Sequence, residues 1–119
     1  MQLNAKTTAL VLIDLQKGVL ARPVAPYPSA TIYERATRLA PRVRTAGGPV
    51  VWVRVSFASD FADAPRTKVD QPSSFGALPP GWDEFPEPLE PSDLVITKRQ
   101  WGAFHGTELD LQLRRRGVH

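Results

Sequence analysis

Apolar residues along this chain come in two rhythms. The runs that open at Ala9, Val50 and Leu94 are short and nearly unbroken, the pattern of strands buried on both faces of a parallel sheet. They predict strands over about Ala9–Asp14, Val50–Ser56 and Leu94–Lys98. Between the first two, Ile32, Ala36, Leu39, Ala40 and Val43 recur at helical spacing and predict a helix over about Thr31–Ala46 with one buried face. Ser29 stands where an N-cap belongs, and Gly47, Gly48 and Pro49 form a firm stop. Pro41 falls inside this pattern and removes a helix hydrogen bond, so a kink or a break is expected there. After the third strand, Leu109 and Leu113 mark the core stripe of a second helix that begins near Glu108. Thr107 is its expected N-cap, with Asp110 at capping-box spacing, and Gly117 is its end.

Strand, helix and strand joined by a short turn imply a right-handed parallel βαβ unit, so the fold class is α/β. Val118 reads as the first residue of a further strand. The alternation therefore predicts one domain over residues 1–119 that is incomplete at its C-terminal side. Residues 57–93 interrupt the rhythm. They hold seven of the twelve prolines and eight of the twelve acids, against two bases, Arg66 and Lys68. Phe75, Trp82 and Phe85 give this stretch apolar anchors, which favours a loop packed on the domain; the alternative is a tolerated insertion.

Composition narrows the function classes. The chain is 42% hydrophobic and 23% charged, ordinary values for a globular domain, and too short for two domains. It has no Cys, which excludes disulfides and thiolate metal ligands. No apolar run is long enough to cross a bilayer, and the N-terminus lacks a signal-peptide pattern, so a cytoplasmic protein is expected. The net charge of +3 peaks at Arg114, Arg115 and Arg116. That cluster sits in the last turn of a helix, where cations complement the helix dipole, and no nucleic-acid partner is expected.

In open α/β sheets, chemistry gathers at the carboxyl ends of the strands. Asp14 and Lys98 stand at two such ends, each after a run of apolar residues; Arg54 or Ser56, on strand two, is a weaker third position. An ionised carboxylate there costs free energy unless something pairs with it or uses it. Together, Asp14 and Lys98 form either a proton-transfer pair or a structural ion pair that satisfies two strand ends.

The stretches "ALVLIDLQKG", "GGPVVWVRV", "GWDEF" and "DLVITKRQWGAFHGTELDLQLRRRGV", in this order and spacing, resemble the isochorismatase-like (cysteine hydrolase) superfamily from about Thr8 to the last residue. The resemblance implies a three-layer α/β/α fold with a parallel sheet in the order 3-2-1-4-5-6. It also implies that Asp14 and Lys98 are catalytic. In the amidase branch the pair activates a Cys at the end of the fourth strand, a position beyond His119. In the vinyl-ether branch that position is commonly Gly, and the Asp protonates the substrate before water attacks.

The metal-dependent branch carries two His after strand two. The matching stretch here, "SFASDFADAPRT", has none, so neither a metal nor another cofactor is expected. Gln16 is a companion of the catalytic Asp that either orients its carboxylate or satisfies loop backbone. Trp101 and Phe104 either wall a pocket or pack the loop onto the second helix. His105 either faces that pocket or lies exposed. The functional expectation is a hydrolase of a small organic substrate, commonly dimeric or tetrameric in this family. The competing expectation is an inactive fragment or an oligomeric interaction module of the same fold.

Overall fold

The computed structural model describes residues 3–66, 68, 70 and 76–119. A single 3-10 turn, Ala5–Thr7, leads into strand β1, Leu10–Ile13, followed by a one-turn helix α1, Lys17–Leu20, and the long helix α2, Ser29–Thr45. Strand β2, Val50–Val55, strand β3, Leu94–Lys98, and helix α3, Leu109–Arg115, complete the described elements. The three strands are parallel in the order β1-β2-β3, with Leu12 opposite Trp52 and Val53 opposite Ile96.

Alternation along the strands divides the core into two layers. Leu12, Val50 and Trp52 pack with Ala36 and Ala40 of α2 on one face. Val51, Val53 and Ile96 pack with Ala103, Leu109 and Leu113 on the other. Strand β2 is thus covered on both faces, which is why it has no polar residue before Arg54, whereas Ile13 of β1 and Val95 of β3 are exposed, so the first strand is not buried on both faces as expected. This is the three-layer α/β/α arrangement, and its strand order is the 3-2-1 half of the expected sheet read from the other edge.

The helices differ from expectation in detail. Helix α2 begins at Ser29, with Pro28 in the cap position, and the Ser29 hydroxyl donates to the Arg22 carbonyl instead of capping. No break occurs at Pro41. The helix runs through it, with Pro41 exposed. The buried stripe is Tyr33, Ala36, Ala40 and Val43, whereas Ile32 and Leu39 are exposed. A shift of one residue turns a helical position by about 100°, enough to carry both onto the solvent side.

In α3, Glu108 takes the cap position, yet the Thr107 hydroxyl still accepts from the Leu109 N–H at 3.2 Å. The capping box with Asp110 does not form, because that carboxylate accepts from Arg114 Nε at 2.8 Å along the helix surface. Gly117, at φ 71°, ends the helix in a left-handed turn, with the Val118 N–H donating to the Leu113 carbonyl.

The described part of the long 57–93 stretch packs down as anchored loop. Phe85 meets Trp52 edge-on at 5.6 Å between ring centres. The Trp82 ring lies so close over Gly18 that a Cβ there would fall 1.8 Å from it. The Lys17 and Gly18 N–H groups at the start of α1 donate to the Glu84 and Trp82 carbonyls. Phe75, the third expected anchor, lies outside the described residues.

At the amino ends of the strands, Asp93 is 1% exposed in its side chain. It accepts two hydrogen bonds from Arg44 of α2, at 2.7 and 2.6 Å, and one from Trp52 Nε1 at 2.8 Å. This fork ties α2 to both β2 and the entry of β3, and it holds the Arg44 guanidinium above its ordinary pKa.

Candidate active site

The carboxyl ends of β1 and β3 converge on one ion pair. Lys98 Nζ donates to Asp14 Oδ2 at 3.1 Å and to the Trp101 carbonyl at 2.9 Å. The Lys98 side chain is 5% exposed and that of Asp14 36%. The second oxygen, Asp14 Oδ1, is buried and has no hydrogen-bond partner among the described residues. One carboxylate oxygen is therefore fixed by an ammonium and the other is left with its acceptor capacity unspent. A buried oxygen of that kind costs free energy in a resting protein and keeps the capacity to accept a proton.

Asp14 reaches this position through its backbone. Its N–H still donates to the Val53 carbonyl, at 2.8 Å, as the next residue of β1 would. Its φ is 62°, in the left-handed region, where Asp is one of the few side chains found at all often. The chain thus leaves the sheet at Asp14, and α1 starts three residues later.

The other expected site residues divide. Gln16 is 0% exposed, and its amide is engaged with main chain: Nε2 donates to the Val55 carbonyl at 2.9 Å and Oε1 accepts from the Val55 N–H at 2.8 Å. Trp101 contributes its carbonyl to Lys98, while its ring is turned out and the residue is 87% exposed. Phe104 and His105 are exposed on the same loop, and the His105 carbonyl accepts from Gln100 Nε2. Only Asp14, Lys98 and the Trp101 carbonyl are brought into direct contact. Arg54 and Ser56 are held on Asp83, whose Oδ2 accepts from the Ser56 hydroxyl at 2.7 Å and whose carbonyl accepts from Arg54 at 3.4 Å. The role of the Trp101 carbonyl left no mark in the sequence, since any residue would carry it.

The stretch after β2 does not fit a metal. Asp63 is committed to the Ala58 N–H and to Arg99, and Asp60 to the Ala62 N–H. Among the described residues, no three His, Cys, Asp or Glu side chains come together as a metal site. A cavity of about 390 Å³ lies at the opposite end of the sheet, lined by Arg44, Gly47, Asp93 and Arg116 among others. It is remote from the chemistry, and its only buried acid is already paired.

Comparison with known proteins gives the family and the fold. Residues 8–119 match the model of the isochorismatase domain. The isochorismatase family protein YecD of Escherichia coli O157:H7 is 49% identical over 120 residues, covering 99% of this chain and 64% of the relative. The streptothricin hydrolase of Streptomyces noursei is 31% identical over 112 residues, covering 92% of this chain and 36% of that enzyme. Among solved structures, an isochorismatase family protein from Burkholderia thailandensis superposes with a TM-score of 0.86 at 43% identity, covering 95% of this chain and 60% of the other. The chain thus spans 64% and 62% of the length of the first two curated relatives it matches.

Proposed function

The chain belongs to the isochorismatase family, a family of hydrolases, and from that premise we propose that its Asp14–Lys98 pair performs acid–base catalysis on a small organic substrate. The observation that carries this reading is the unspent Oδ1 of Asp14 beside an oxygen already held by Lys98. A purely structural ion pair would satisfy both oxygens or expose them. Here Lys98 holds and orients the carboxylate through Oδ2, and Oδ1 is the atom that takes up or delivers the proton. The second acceptor on Lys98, the Trp101 carbonyl at 2.9 Å, also holds the ammonium and limits its rotation.

Two bond classes fit: a C–N bond, as in amides, and a vinyl ether. In the first, Asp14 takes the proton of a thiol nucleophile supplied at the end of a following strand. In the second, it protonates the vinyl carbon and water completes the reaction. Streptothricin hydrolase, at 31% identity, lends weight to the hydrolytic reading without fixing the bond.

The test is a hydrolysis panel of small primary amides and a vinyl-ether carboxylate, run on the parent protein and on Asp14→Asn and Lys98→Met. We expect turnover of one class, reduced at least about 100-fold in both variants, as loss of a positioned acid–base group produces. Turnover at the parent rate in Asp14→Asn would remove Asp14 from the mechanism.

A further inference from the structure

We propose that Gln16 is a positioning residue that holds Asp14 in its left-handed conformation by replacing two bonds of the β1–β2 ladder. In the parallel register, Leu10 pairs with Val50 and Leu12 with Trp52, and the Asp14 N–H continues the series by donating to the Val53 carbonyl. The next two bonds of that series join the Val55 N–H to the Asp14 carbonyl and the Val55 carbonyl to the residue 16 N–H. Neither is made by main chain. With φ at 62°, Asp14 has left the strand path.

Both Val55 groups are instead served by one side chain. Gln16 Oε1 accepts from the Val55 N–H at 2.8 Å, and Gln16 Nε2 donates to the Val55 carbonyl at 2.9 Å. The amide thus stands in for a peptide group, in the same two directions. Without it, Val55 would present a donor and an acceptor to a buried strand end, and the cheapest repair would be for residues 14–16 to fall back into the ladder. That repair carries Asp14 into extended backbone and swings its carboxylate off Lys98. Gln16 Nε2 also lies 3.4 Å from the Trp82 carbonyl, so the same amide reaches the docked 82–84 strap.

The consequence for turnover rests on the reading of Asp14 as the acid–base residue; the geometric claim does not. It is tested by NMR on the 119-residue chain without any substrate. In the parent, the amide-to-α coupling of Asp14 reports a positive φ, and the Lys98 ammonium gives a resolved signal because its protons are held by Asp14 and Trp101. Gln16→Met, close in shape but without donor or acceptor, and Gln16→Asn, too short to reach both Val55 groups, are expected to lose both signatures. Signals of Ala36, Ala40 and Leu113 stay in place. In the active protein the same variants lower kcat about 100-fold with little change in KM.

Parent signatures in a folded Gln16→Met or Gln16→Asn overturn the proposal, and so does collapse of both variants, since Gln16 would then hold the fold and not the carboxylate. Failure of the catalytic reading shows separately, as parent turnover in Asp14→Asn with the Gln16 spectra still changed.

Discussion

Asp14 illustrates how a single residue can carry both the cost and the use of a fold. A carboxylate at the end of an apolar strand is conspicuous in sequence, because nothing else about "ALVLID" is polar. The resemblance names Gln16 as its companion, either orienting the carboxylate or satisfying loop backbone; what the sequence does not carry is what Gln16 binds. The partner of Gln16 is the backbone of Val55, 39 residues away, and a backbone partner leaves no trace in a pattern of side chains. Tyr33 offers a residue-scale prediction of another kind. Burial, and then the nearby Glu87 carboxylate, push its phenol above the ordinary 10.0. A pKa raised in the folded state favours the protonated form there, so this contribution is intact below pH about 10 and is lost as pH rises through the folded value. Unfolding free energy measured above pH 10 should therefore fall with pH, and the fall should be shallower in Tyr33→Phe.

At the scale of elements, β2 was legible because a strand buried on both faces shows as an unbroken apolar run, and β3 was legible from Leu94, Val95 and Ile96 although Val95 is exposed. The face of α2 was read in part: Ala36, Ala40 and Val43 lie on it as expected, while Ile32 and Leu39 are apolar but exposed. The one-turn helix α1 was not foreseen, since four residues give no periodicity and its stability comes from the Trp82 and Glu84 carbonyls that accept from its first N–H groups. Two substitutions probe these elements. Gly18→Ala places a methyl inside the Trp82 ring and should cost about 1–3 kcal/mol by forcing the strap away, read as a lower denaturant midpoint and loss of Trp82 fluorescence polarity. Pro41→Ala restores an N–H to α2 at an exposed position and should raise the unfolding free energy by up to about 3 kcal/mol, read as a higher denaturant midpoint.

Over the whole molecule, the two ends of the sheet hold ion pairs of different kinds. The amino end is closed by the fork of Arg44 on Asp93 and Trp52, in which every bond is short and the acid is buried. Arg44→Met should strand that charge and cost about 3 kcal/mol, seen in thermal melting with turnover per folded molecule unchanged. The carboxyl end holds the opposite arrangement, an ion pair with one oxygen unspent. The pairing at the carboxyl end was readable in outline, since Asp14 and Lys98 both follow apolar runs. The fork was not, because Asp93 looked like one acid among many in an acidic stretch. The most direct test of the account is the turnover of Asp14→Asn, Lys98→Met and the double variant on one substrate. If the pair acts as a unit, the double variant is no slower than the slower single one. Losses that multiply, or an Asp14→Asn variant that turns over at the parent rate, would contradict it.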